Sequence, residues 1–335
     1  MADTTSSPPT SLRASSRWPG RWNWRVELTG VVMVGFVALV LAAGLPRLLP
    51  DTPFVHLDQG RLYVGVGFVG AALAFWVLGA KLRAAISALA GLALLGSIAL
   101  FFANAHAPHT PEAEPDFSLI SFNVLGFNPR GAEIAAYLAN EAPDVAFVLE
   151  APALHQHMDT MNAAFAHRAG CWPGPSCDMA IFSQHPLLDV EIVPFFTVHG
   201  RLLIATLDLP AGPVTLVAAH LTKPYYGNWH DLQLGRLFER LAQIDGPVVL
   251  AGDFNSQAFV PAFREALIER AGLRLASRMQ PTWPALSSSW LSYAGFAIDH
   301  VLVGGGLEPV SVSVIEDPLG SNHRGLMSRF ALPAR

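Results

Sequence analysis

The sequence predicts an α+β domain of layered α/β/β/α organisation carried behind three transmembrane helices. Three observations lead there. Only 14% of the 335 residues are charged, against roughly a quarter in soluble domains, so part of the chain belongs in a membrane. Three apolar runs stand near the start, at 28–49, 62–80 and 84–103, each close to the roughly 20 residues a bilayer crossing takes. Beyond them, short apolar segments rich in β-branched residues alternate with amphipathic stretches of helical period.

Residues 1–26 are rich in Ser, Thr, Pro and Arg, cannot build a core, and read as a disordered cytoplasmic tail. Arg13, Arg17, Arg21 and Arg25 lie in this tail, and Lys81 and Arg83 separate the second and third runs. By the positive-inside rule both segments face the cytoplasm. Residues 27–103 then cross the membrane three times, and everything after 103 lies outside, as in a multi-pass inner-membrane protein with an extracytoplasmic domain. A cleaved signal peptide is the competing reading of the first run; the two runs that follow, and the lack of a small-residue cleavage site, weigh against it. Residues 104–115 read as an exposed linker that keeps the rest close to the outer membrane face.

Within 116–335 the pattern predicts strands at 117–122, 145–149, 179–182, 202–207, 214–219, 248–251, 296–302 and 326–332, with helices at 133–140, 153–166, 229–243 and 261–270. Many strands and fewer helices fit one layered domain. Cys171 and Cys177 lack the spacing of a zinc site, leaving either a small disulfide loop or two free thiols. The net charge of −5 supplies no basic footprint, which disfavours nucleic acid as a partner.

The chemistry gathers where apolar strands stop. Val248–Ala251 ends in Gly252, Asp253, Phe254 and Asn255; side chains two apart on an extended chain point the same way, so a carboxylate and an amide converge beyond the strand. An isolated Gly-Asp-x-Asn is equally an Asx turn. The same arrangement recurs, however. Asn123, Glu150 and His220 each end an apolar strand, Asp299 interrupts another, and Asn322, His323 and Arg324 precede the last. Repeated desolvation of polar groups is most simply compensated by a shared ion and substrate.

In Ser-Phe-Asn123, Leu-Glu150, Ala-His220-Leu, Gly-Asp253-Phe-Asn255, Ile-Asp299-His and Ser-Asn322-His323-Arg the chain resembles the endonuclease/exonuclease/phosphatase superfamily, over roughly residues 116–334. Its layout is similar to that of membrane-anchored three-span members that are lipid pyrophosphate phosphatase-like. The resemblance implies a four-layer α/β/β/α sandwich that hydrolyses phosphate esters with a divalent metal, usually Mg2+, with Mn2+ or Ca2+ as alternatives. Glu150 would then be the main metal ligand, with Asn123 holding the metal region or a phosphate oxygen. Asp253 would orient or deprotonate the attacking water, and Asn255 would bind the scissile phosphoryl group. His323, paired with Asp299, would stabilise developing charge or move a proton, and His220 would be a second donor near the leaving group. The family usually carries an acid where this chain has Asn322, which keeps an oxygen ligand but loses a charge beside the metal.

Weaker signals have two readings each. His300 should face away from Asp299 as a packed histidine; Lys223 is either a phosphate contact or a solvated loop lysine; Arg324 is a candidate phosphate contact. Trp283 and Trp290 flank a serine cluster and form either a substrate rim or packing. The partners expected are the lipid bilayer and a phosphorylated small-molecule or lipid substrate. An extracytoplasmic nuclease and a non-catalytic receptor for a phosphorylated ligand are the alternatives.

Overall fold

Helices long and apolar enough to cross a membrane do form at the start of the chain. In the computed structural model, which describes residues 24–48, 53–170, 178–193, 195, 201–285 and 293–333, they are α1 (Trp24–Leu48), α2 (Arg61–Val77) and α3 (Lys81–Ala105), with a 3-10 turn at Pro53–Gly60 before α2. Phe36 of α1 meets Phe68 and Phe75 of α2 edge-on, at 5.6 and 5.9 Å between ring centroids. The closest approach is between α2 and α3, where glycines replace side chains. A Cβ on Gly91 would lie 2.9 Å from Val69 and 3.0 Å from the Gly65 carbonyl oxygen, the small-residue contact that lets apolar helices pack by dispersion alone.

The rest of the chain forms two six-stranded sheets. The first runs β11 (Glu308–Val314), β12 (Leu326–Ala331), β1 (Phe117–Asn123), β2 (Val145–Leu149), β4 (Met179–Ser183), β3 (His167–Gly170). The second runs β5 (Leu187–Ile192), β6 (Leu202–Leu207), β7 (Val214–His220), β8 (Val248–Asp253), β10 (Asp299–Gly304), β9 (Arg274–Leu275). Both faces of each sheet are covered, which is why the central strands read as continuous apolar runs. Phe117, Leu119, Phe147 and Ile181 of the first sheet share a core with Leu203, Leu216, Val249 and Val301 of the second. On the outside, Ile134 and Leu138 of α4 (Gly131–Glu141) and Met161 of α5 (Met158–Ala164) cover Ile120, Phe122 and Val148. On the opposite side, Leu234 and Leu237 of α6 (Trp229–Leu241), with Phe263 and Leu267 of α7 (Pro261–Phe263) and the π-turn Arg264–Arg270 behind it, cover Val217, Leu250 and Leu302. The order of layers is therefore α/β/β/α.

Several expectations change. The helix expected at 153–166 divides into a 3-10 turn, Ala151–His157, and the short α5. The strand expected at 296–302 begins at Asp299, because Phe296 instead bridges to Trp283. Most consequential, 104–115 is not a free tether. Ala105 and Ala107 are buried, the Ala107 amide donates to the Leu275 carbonyl at 2.7 Å, and that of Thr110 to the Pro309 carbonyl at 3.0 Å. Phe101 and Phe102 at the end of α3 pack against the same outer layer as α6. The proposed Cys171–Cys177 pairing, Trp290, and most of the N-terminal tail lie outside the described residues.

Two consequences for stability follow. Gly252 has φ +148°, and a Cβ there would stand 1.9 Å from the Ala219 carbonyl oxygen, so β7 and β8 pair at this point only with glycine. Gly252→Ala is expected to destabilise the domain by about 3 kcal/mol or more, read as a lower melting temperature of the purified full chain. His300, fully buried beside Phe254 and Phe263, is pushed by burial from 6.5 to about 4. It stays neutral in the fold while the unfolded chain takes up a proton below pH 6.5. Stability should therefore fall between pH 6.5 and about 4, by on the order of 3 kcal/mol from this group. A His300→Gln variant should show a shallower loss over the same range.

Candidate functional site

Sheet register builds the centre of the site. On either side of Asp253, the β7 partner is His220 and the β10 partner is Asp299, so three functional residues stand abreast at one rim. The first sheet presents Asn123 and the residue after β2, Glu150, at the facing rim. Glu150 adopts φ +54° and Asn255 φ +49°, a left-handed conformation in which a glutamate is held only by its surroundings. Those surroundings are specific. The Gly126 amide donates to Glu150 Oε2 at 2.8 Å, and Asn123 Nδ2 to Glu150 Oε1 at 3.1 Å.

Asp253 is the focus. Its Oδ1 accepts the Asn255 amide at 2.8 Å, and its Oδ2 accepts Asn123 Nδ2 at 3.2 Å. The Nε2 atoms of His220 and of His323 each lie 3.7 Å from the same Oδ2, an ionic rather than hydrogen-bonded distance. Each imidazole is held from behind by its own carboxylate. His323 Nδ1 is 2.9 Å from Asp299 Oδ2, and His220 Nδ1 is 2.6 Å from Asp178 Oδ2. Asp178 in turn meets Arg201 at 3.2 Å. Two Asp–His pairs thus converge on one buried carboxylate.

The electrostatics follow from that packing. Burial works against a charged His323, but Asp299 and then Asp253 outweigh it and raise the ring to about 9. His220 is raised in the same way by Asp178 against its own burial. Although burial opposes it, His220 and Arg201 hold Asp178 below the usual carboxylate value. Asp253 moves the other way: burial and the like charge of Asp299 push it up, with the two imidazoles opposing. A raised carboxylate flanked by two imidazoles whose charged forms are favoured is suited to taking a proton and passing it on.

Asp178 was not among the residues expected from sequence. It precedes β4, and attention to strand ends overlooks strand starts. Since β4 is antiparallel to β2, with Met179 opposite Leu149, the start of β4 lies at the same rim as Glu150. An acid directly before an apolar run was the available signal.

A cavity of ≈ 260 Å³ opens over these groups. Glu150, His220, Asp253, Asn255, Asn322 and His323 line it together with Pro224, Tyr225, Trp283, Phe296 and Ile298. Lys223 and, from the turn between α1 and α2, Gln59 complete it. Asn255 spends one amide hydrogen on the Leu221 carbonyl at 2.9 Å, which fixes the orientation of the amide. Asn322 is exposed at the mouth. His300 faces the other way, its Nε2 2.8 Å from the Ser256 carbonyl oxygen.

Arg324 does not reach this cavity. Its guanidinium donates to the Pro281 carbonyl, lies 3.7 Å from Glu316 and 5.1 Å from the Tyr293 ring centroid, so packing has consumed the phosphate contact expected of it.

The donor set fits a hard divalent cation. Asp253, Asp299 and His323 bring ligand atoms within 4.8 Å of one another, and the Glu150 carboxylate stands alongside, while Asn123 turns Nδ2 to Glu150 and Asp253 and its Oδ1 to the Leu125 amide. This tightest group differs from the expected ligands Glu150, Asn123 and Asn322. His323 already has Nδ1 engaged by Asp299, and a hard cation prefers oxygen donors such as the Glu150 carboxylate.

Residues 120–323 match the profile of the Endonuclease/Exonuclease/phosphatase family. Among solved structures, an endonuclease/exonuclease/phosphatase from Beutenbergia cavernae DSM 12333 is similar with a TM-score of 0.54 and 20% identity, covering 66% of this chain and 72% of that one. D. rerio TDP2, complexed with single strand DNA product, gives a TM-score of 0.53 and 21% identity, covering 64% and 98%. A family protein from Bacteroides thetaiotaomicron gives 0.52 and 14%, covering 65% and 98%. At these identities the likeness is one of fold. No curated protein matches the sequence. The family profile, which spans more than half of the chain and includes every strand-end residue above, makes this protein a member of the endonuclease/exonuclease/phosphatase family.

Proposed function

We propose that the chain is a membrane-anchored, divalent-metal-dependent phosphoesterase that hydrolyses a lipid-linked phosphate or pyrophosphate at the outer membrane face. Family members are typically metal-dependent hydrolases of phosphodiester or phosphate ester bonds. The observation that carries the finer reading is the cavity itself. Its lining mixes the polar and charged Glu150, His220, Asp253 and His323 with the apolar Trp283, Phe296 and Ile298, and Gln59 enters from the turn before α2. A phosphate joined to an apolar chain matches both kinds of lining. A nuclease would be expected to line its path with cations, whereas Lys223 is the only Lys or Arg lining this cavity among the described residues.

In this reading Glu150, with Asn123, would hold the metal, magnesium being the first choice for oxygen donors. When bound, the ion polarises a phosphoryl oxygen and offsets charge on the phosphorus centre. Asp253 orients the attacking water and takes its proton. Asn255 binds the phosphoryl group, and His323 and His220, kept charged by Asp299 and Asp178, stabilise negative charge as it develops. The neutral Asn322 leaves less repulsion for an entering polyanion at the mouth. Three helices of spanning length, basic residues in the tail and after α2, and the positive-inside rule support a domain outside the cytoplasm.

The purified full chain in detergent, supplied with magnesium, should release phosphate from a polyprenyl pyrophosphate and stop when the metal is chelated. Glu150→Ala and His323→Ala should each lower the rate by about 100-fold or more, and an unchanged rate in either would remove that residue from the site. DNA cleavage that falls steeply with salt, without phosphate release, would favour a nuclease instead. Ligand binding without turnover, restored to hydrolysis by Asn322→Asp, would favour a receptor. A reporter fused after Arg335 should be active outside the cytoplasm; cytoplasmic activity would overturn the topology.

A further inference from the structure

The loop that carries Asn255 continues into Ser256 and Gln257, both buried. Its backbone is pinned at two carbonyls from within the domain. His230 Nε2 lies 3.0 Å from the Phe254 oxygen and His300 Nε2 2.8 Å from that of Ser256. The remaining polar groups are met from the bundle side, by one residue of the turn between α1 and α2. Gln59 Nε2 donates to Ser256 Oγ at 2.9 Å, Gln59 Oε1 accepts the Gln257 amide at 2.8 Å, and the Gln59 carbonyl accepts Gln257 Nε2 at 2.7 Å.

The turn is itself fixed. Arg61 and Asp58 form a buried pair at 2.9 Å, and the Arg61 guanidinium sits 5.6 Å from the Phe259 ring centroid. One turn on, Tyr63 donates its hydroxyl to the carbonyls of Ala294 and Gly295 and packs 5.1 Å from Phe296, which lines the cavity. The bundle therefore holds both the polar loop and an apolar part of the lining.

We propose that Gln59 is a positioning residue of the phosphoesterase site, fixing the Asn255 loop from the membrane bundle, so that the anchor completes the active site rather than only locating it. This rests on the activity proposed above. The physical reason is that an alanine at 59 takes the side-chain amide away from the Ser256 hydroxyl and leaves the buried Gln257 backbone amide without its acceptor, and a loop that shifts to satisfy them carries Asn255 with it. Glutamate is different. It can accept from both the Ser256 hydroxyl and the Gln257 amide, keeping the loop in place while adding a negative charge to the cavity lining.

The test compares Gln59→Ala and Gln59→Glu with the wild-type full chain in detergent, using polyprenyl pyrophosphate and magnesium, alongside amide hydrogen exchange over residues 254–258. Gln59→Ala should lower kcat roughly tenfold or more, with a smaller change in KM, and should speed exchange in that segment while leaving the sheets protected. Gln59→Glu should keep kcat within about threefold and raise KM for the anionic substrate. Wild-type kcat in Gln59→Ala, or unchanged exchange, overturns the proposal. A wild-type protein that releases no phosphate overturns the activity assignment instead, and faster exchange in Gln59→Ala would still establish the clamp on the loop.

Discussion

One carboxylate at the end of β8 carries the arrangement of the site. Asp253 is buried, and the strands on either side set His220 and Asp299 directly opposite it. That adjacency depends on β7 and β8 remaining paired to their last residue, which Gly252 permits by giving the Ala219 carbonyl room. A slip of one residue would turn every side chain to the other face and disperse the cluster. The buried acids then become interdependent. Asp253 is tolerated beside Asp299 because two imidazoles lie close to its Oδ2, and Asp178 and Asp299 favour the charged form of those rings. Removing any one member leaves its neighbours with uncompensated charge in a poorly solvated place.

The centre of the fold was legible in the sequence and its margins were not, for one reason. The strands expected from apolar runs, β1, β2, β4, β6, β7, β8, β10 and β12, are the eight interior ones. The four that were missed among the described residues, β3, β5, β9 and β11, are the four edges of the two sheets. An edge strand such as Leu187–Ile192 leaves Leu188 and Val190 exposed and carries Asp189 and Glu191, as edges do to avoid pairing with other chains, and so it shows no apolar run. The site divided in a similar way. Asn123, Glu150, His220 and Asp253, at the ends of strands, announced themselves, and Asp299 and His323 stood out beside antiparallel strands, while Asp178, directly before β4, was passed over. Arg324 misled because adjacency to His323 in sequence says nothing about direction. Alternate side chains on extended backbone diverge, and its guanidinium went to Pro281 and Glu316.

The histidines show how similar residues acquire opposite roles from their neighbours. His300 and His323 are both deeply buried. The first has a backbone carbonyl and aromatic rings for company and is neutral; the second has two carboxylates and is charged. Burial acts in the same direction on both, so the sign of the outcome is decided by whether a carboxylate is in reach.

The seating of residues 104–115 alters what kind of object the domain is. A body on a flexible tether samples many orientations and would find a ligand in a bilayer by searching a shell around its anchor. Here α3 runs directly into the domain's outer layer, and the segment after it is stitched to Leu275 and Pro309. The domain and the bundle then share one frame, and the carboxylates keep one height relative to the helices. For a bundle seated in a bilayer, that height acts as a ruler. On the membrane-anchored reading proposed above, that height would set which head groups reach the carboxylates, a selection by length that needs no contact with the group itself.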